Sequence, residues 1–102
     1  NPFTGGCHFD GGCGRYADRC GACPQLGSTQ TDDLSRVVWR RKRAALDAIP
    51  RDRLHLVTPS RWLESAVRAS SLFGHLPLRS IPNGLETDVL VPVDRSAART
   101  AL

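Results

Sequence analysis

Hydrophobic and polar positions divide the chain into three stretches with different periods. From Asp32 onward, Leu34, Val38, Ala45 and Ile49 recur at helical spacing, joined by Val37, Trp39 and Leu46, while Arg36, Arg40, Arg41, Lys42 and Arg43 fill the other side. This predicts an amphipathic helix capped by Asp32 or Asp33, whose carboxylate favours the positive helix end, and ended by Pro50. Leu54-His55-Leu56-Val57-Thr58 is a short apolar run and reads as a buried parallel strand. Pro59 breaks it and Ser60 caps a second helix. Trp62, Leu63, Ala66, Val67, Ser70 and Phe73 give that helix one apolar face, closed by Gly74. Leu78-Arg79-Ser80-Ile81 reads as a second strand and Pro82-Asn83-Gly84 as a turn. Strand, helix and strand in this order predict an α/β fold built on a βαβ unit with a right-handed crossover. Residues 85–93 look extended, and Asp94 is placed to cap a short helix through Ala101.

The first 31 residues show neither period and read as an irregular loop. The segment is rich in glycine and offers few apolar residues, so thiols rather than burial are expected to hold it. The organisation expected is thus a Cys-rich segment (1–31), a helix with a βαβ unit (32–84) and an extended linker with the start of a helix (85–102). Two parallel strands cannot cover both faces of an independent sheet, so the chain reads as a fragment of a larger domain. The start Asn1-Pro2-Phe3 and the lack of any Met suit that reading.

All four cysteines, Cys7, Cys13, Cys20 and Cys23, precede position 24. The short gap between Cys20 and Cys23 lets both sulfurs reach one ion, with backbone amides between them free to hydrogen-bond the thiolates. Cys7 and Cys13 complete a tetrahedral set for structural zinc, and His8 is a spare ligand. Two disulfides, or four reduced thiols in a packed loop, are the other readings. The spacing does not fit an iron–sulfur cluster beyond Cys23-Pro24.

The formal net charge of +4 is uneven: 0 over residues 1–31, +3 over 32–53 and +1 over 54–102. The excess lies around Arg40-Arg41-Lys42-Arg43. It suits either the solvated face of a helix or a phosphate-rich partner. No apolar run approaches a membrane span. No nucleophile–base pair, paired carboxylates or phosphate-cradling glycine motif is visible. In α/β sheets ligands sit beyond the carboxyl ends of the strands, which puts Thr58, Ser60 and Asn83 on the functional edge. Ser60 is there either a plain helix cap or an anion contact, and Asn83-Gly84 either a ligand contact or only a turn.

Several motifs then form an ordered set. They are Phe3-Thr4-Gly5-Gly6-Cys7-His8-Phe9, Cys20-Gly21-Ala22-Cys23-Pro24-Gln25-Leu26-Gly27, Asp33-Leu34-Ser35 through Trp39 and Lys42, Val57-Thr58-Pro59-Ser60-Arg61-Trp62-Leu63, Ser70-Ser71-Leu72-Phe73 and Ile81-Pro82-Asn83-Gly84-Leu85-Glu86-Thr87-Asp88. Together they resemble the bacterial GT-B glycosyltransferases of the GT4 (group 1) type. The resemblance implies a partial Rossmann-like fold, the second half of an N-terminal, acceptor-side domain, with residues from Pro82 on crossing to a C-terminal domain. It implies a retaining transferase that moves a sugar from a nucleotide-sugar to a saccharide or lipid-linked acceptor in polysaccharide biosynthesis. The implied location is the cytoplasm, at or near the inner membrane surface, with no nucleic-acid partner. The donor site would lie mostly outside this chain, and any zinc would be structural. Thr4, Gly5, Gly6, His8, Ser60 and Asn83 are the cleft-lining candidates, and no catalytic residue is carried over. Phe9 stands where the family usually has Tyr, and Glu86 where it usually has Asp. Two other functions are read from the residues themselves: a small zinc-dependent nucleic-acid-binding module, and a non-catalytic domain stabilised by disulfides.

Overall fold

The computed structural model describes residues 1–8 and 12–100. It is a small α/β arrangement of three α-helices and a two-stranded parallel sheet. Helix α1 is Leu34–Asp47, strand β1 Leu56–Thr58, helix α2 Arg61–Arg68, strand β2 Leu78–Ser80 and helix α3 Arg95–Thr100. The cysteine-rich segment carries two 3-10 turns, Gly14–Asp18 and Pro24–Leu26, and a third at Arg51–Arg53 precedes β1.

The expected strand–helix–strand unit forms, with Leu56, Val57 and Thr58 in register with Leu78, Arg79 and Ser80. Its helix starts where Ser60 accepts the Leu63 amide (3.2 Å). Leu63, Ala66 and Val67, at helical spacing, turn inward against the sheet.

Burial departs from the expectation in three places. β1 is not a buried strand: Val57 is 60% exposed, because its side chain leaves the sheet on the face that α2 does not cover. Trp62 is 69% exposed, since it sits one residue, and so about 100° of helix rotation, away from the Leu63 face. On α1 the apolar stripe is only half covered, with Leu34 and Val37 exposed and Ser35 the buried residue, and Ile49, expected to continue the stripe, is exposed beyond the helix end.

Both strands are shorter than expected, starting at Leu56 rather than Leu54 and ending at Ser80 rather than Ile81, and two helix ends also move. α1 ends at Asp47 rather than at Pro50. α2 ends at Arg68, and Ser70 and Phe73 lie beyond it. The Ser70 hydroxyl accepts the Leu72 amide (3.1 Å), a local bond that competes with helix continuation. Gly74 closes the turn that follows, donating to the Ser70 carbonyl (2.8 Å).

The core is where the sequence pattern was least informative. Phe3 and Tyr16, from the segment expected to lack core residues, pack with Ala66 and Val67, and their rings meet edge to face at 5.7 Å. Ser70 and Ser71 tie that segment to the βαβ unit. The Ser70 hydroxyl donates to the Phe3 carbonyl (2.7 Å). The Ser71 hydroxyl donates to the Tyr16 carbonyl (2.8 Å) and accepts the Trp39 indole N–H (3.0 Å) and the Arg19 amide (3.1 Å).

Residues 81–100 are all exposed; Ile81 still donates its amide to the Thr58 carbonyl (2.8 Å). α3 begins where the Asp94 carboxylate accepts the amides of Ser96 and Ala97, as expected; its expected end, Ala101, lies outside the described residues. The radius of gyration is 18.8 Å, against about 13 Å for a compact chain of this length. No helix among the described residues is long and apolar enough to cross a membrane.

Candidate functional site

The loop of residues 1–8 is fixed from inside. Thr4 is fully buried, its hydroxyl 3.0 Å from the carbonyls of both Asn1 and Cys7, and it accepts the Gly6 amide (3.2 Å). Lys42 reaches over from α1 and donates to the carbonyls of Thr4 (2.8 Å), Asn1 (3.1 Å) and Pro2 (3.4 Å). Thr4 is therefore engaged in holding the loop and is not among the residues that line the cavity onto which the cysteines open. Gly5 packs against the first turn of α1, and its amide donates to Cys20 Sγ (3.1 Å).

The Cys20–Cys23 segment has an unusual backbone. Arg19, Cys20, Gly21 and Ala22 all have positive φ (63°, 58°, 96° and 45°), and three of them carry a Cβ. Its amides are not free for sulfur, contrary to expectation. Gly21 donates to Ser35 Oγ (2.9 Å), Ala22 to the Gln30 carbonyl (2.8 Å) and Cys23 to Asp33 Oδ2 (2.7 Å). They lock the segment onto the start of α1 instead. Asp33 also caps α1, its Oδ1 accepting from the amides of Ser35 (2.9 Å) and Arg36 (3.2 Å). The Ser35 hydroxyl, then the Cys23 and Arg36 amides, hold the Asp33 carboxyl well below the usual carboxylate range.

These elements enclose a cavity of about 480 Å³ onto which all four cysteines open, together with Gly5, Gly6, His8 and Arg15. The cysteines are free thiols of intermediate exposure. Burial raises the Cys20 pKa, the Gly5 amide opposes that, and the charges of Cys7, Cys13 and Cys23 raise it further. All three thiols thus lie within electrostatic reach of Cys20, which does not have the depressed pKa of a reactive nucleophile. Burial lowers the Lys42 pKa, and the charges of Cys20 and Cys7 oppose that shift. Among the described residues, no three His, Cys, Asp or Glu side chains stand close enough to hold a metal ion as placed.

The other candidates lie at the carboxyl ends of the strands, away from the lining of this cavity. Thr58 is 3% exposed, and its hydroxyl and that of its register partner Ser80 are buried without a hydrogen-bond partner. Ser60 is exposed with its hydroxyl engaged in capping α2, and Asn83 is exposed in the segment after β2. The structure thus brings Gly5, Gly6, His8 and the cysteines together and leaves Ser60 and Asn83 at a second place. Sequence reasoning missed Arg15 as a charge lining the cysteine cavity and Lys42 as the cation that holds the adjoining loop. Lys42 could have been found from its position on the face of α1 shared with Ser35 and Trp39.

Of the basic run, Arg40 pairs with Asp32 (2.8 Å) and Arg43 with Asp47 (2.9 Å), and Lys42 holds the loop. Three of the four bases are thus engaged within the chain.

No protein-family model, no curated protein and no solved structure matches this chain.

Proposed function

We propose that this chain is part of the acceptor-side, Rossmann-like domain of a GT-B glycosyltransferase. The enzyme transfers a sugar from a nucleotide-sugar to a saccharide or lipid-linked acceptor in polysaccharide biosynthesis, working in the cytoplasm at or near the membrane surface. The reading rests on the ordered motifs of the sequence. The observation that carries it in the fold is the parallel pairing of β1 and β2 around α2, with the unpartnered hydroxyls of Thr58 and Ser80 at the carboxyl ends of both strands. That edge is where parallel α/β sheets take their ligands. The uncovered face at Val57 and the exposed apolar side chains of Leu85, Val89, Leu90, Val91 and Val93 fit a layer completed by further chain. Gly5, Gly6 and His8 would border the acceptor side, and Asn83 the crossing between domains.

The test is transfer by the full polypeptide that carries this stretch, offered labelled nucleotide-sugars with saccharide and lipid-linked acceptors. Acceptor-dependent release of nucleoside diphosphate is expected from that polypeptide, and none from residues 1–102 alone. A parent gene without a second nucleotide-fold domain downstream, or a parent that neither binds nor turns over any nucleotide-sugar, overturns the proposal.

A further inference from the structure

The four cysteines share a cavity with no assigned ligand, and three features of that cavity point to a cation. The first is the donor set. Four soft thiol donors open onto one space, and tetrahedral thiolate sites of this kind select zinc among the common divalent ions. The second is charge. A zinc ion held by four thiolates is a centre of about −2, which a partly apolar cavity tolerates only beside cations. Arg15 lines the cavity, and the Lys42 ammonium lies within electrostatic reach of Cys20 and Cys7. The third is the built surroundings. The Gly5 amide already donates to Cys20 Sγ, the outer-shell bond that a metal-bound thiolate requires. The left-handed run Arg19–Ala22, locked by Ser35 and Asp33, turns Cys20 and Cys23 toward the same space.

We propose that Cys7, Cys13, Cys20 and Cys23 bind one structural zinc ion between the N-terminal loop and α1. The sulfurs do not stand at ligand distances as placed. A cysteine sulfur moves between staggered wells by rotation about its Cα–Cβ bond, and the proposal requires the four to turn in together when the ion binds. On binding, each thiol gives its proton to solvent as its zinc–sulfur bond forms, so zinc uptake releases protons and weakens as pH falls. With four protein ligands the ion has no open position for substrate, and its role is to hold the loop. The proposal is independent of the transfer reading and would stand if that reading fell.

The test uses the chain purified without chelator. Metal analysis is expected to give one zinc per chain, released stoichiometrically when the thiols are titrated with a mercurial reagent. Cobalt(II) added to the zinc-stripped chain should give the thiolate-to-metal charge-transfer absorption of tetrahedral sulfur ligation. Cys20→Ser is expected to lose the metal, and His8→Ala to retain full stoichiometry. The cobalt titration needs only the unsubstituted chain, so it decides the matter even if Cys20→Ser fails to fold. Absence of both zinc and the cobalt–thiolate absorption overturns the proposal. So do two disulfides in the mass of the native, unreduced chain, or loss of metal on His8→Ala.

Discussion

Adding a single methyl group at Gly5 is the sharpest probe of how the N-terminal loop meets α1. A Cβ built there lies 2.5 Å from the Ser35 carbonyl oxygen and 2.9 Å from Cys20 Sγ. Both distances are well inside contact. The Ser35 carbonyl belongs to the first turn of α1, whose amides Asp33 holds, so it cannot retreat without unwinding the cap. The sulfur could swing away, but only by giving up the Gly5 N–H···S bond. Overpacking of this kind costs about 1–3 kcal/mol, and with one rigid neighbour and one bonded neighbour we expect the upper end, about 3 kcal/mol. Against a total stability of about 5–15 kcal/mol, that lowers the melting temperature by roughly 12–24 °C for a chain of this size. Gly14→Ala is the matched control. It opens the first 3-10 turn at negative or extended φ, and a Cβ there meets nothing within 4 Å. Its effect should be neutral or slightly stabilising, by about 0.4–1 kcal/mol. The assay is thermal unfolding by circular dichroism, with urea titration to confirm an unchanged m-value. A Gly5→Ala chain that melts within a degree or two of the parent, or a Gly14→Ala chain that loses as much as Gly5→Ala, would refute the close approach of loop and helix.

Two further outcomes follow from the same contacts. Ser71→Ala strips the acceptor from the Trp39 indole and the Arg19 amide; we expect a loss of about 1–3 kcal/mol in urea unfolding and a shifted Trp39 emission in the folded state, and an unchanged midpoint would remove Ser71 as the junction. The Asp33 carboxyl is depressed in the folded chain, so its contribution is fully present above the unfolded carboxyl pKa near 4 and is lost as pH falls toward the lower folded value; Asp33→Asn should flatten the acid limb of melting temperature against pH, and a limb as steep as the parent's would contradict the assignment.

The local signals in the chain were legible. Asp33 and Ser60 cap the helices that their neighbours' periodicity announces, and the expected strands 54–58 and 78–81 pair in parallel over Leu56–Thr58 and Leu78–Ser80. Those features depend on residues a few positions apart. What the chain hid depends on distant partners. Phe3 and Tyr16 are isolated aromatics among glycines, with no period to mark them as core, and their burial needs Ala66 and Val67. Ser70 and Ser71 look like an ordinary helix face, yet their hydroxyls bond to carbonyls 67 and 55 positions away. The four cysteines line one cavity, as their clustering in the first 23 positions allows. That the intervening amides would be taken by Ser35, Gln30 and Asp33 could not be read from spacing, because those acceptors follow from how the loop folds back on α1. The exposure of Val57 and Trp62 had no sequence signal either, since an apolar residue looks the same whether or not a neighbour covers it.

The Ser70 hydroxyl gives the molecule a mechanical linkage. It grips the Phe3 carbonyl two positions before Gly5, and Gly5 grips the sulfur of Cys20. The residues just past α2 are thus joined to the Cys20 thiol through three short links, so a substitution at Ser70 is felt at that sulfur.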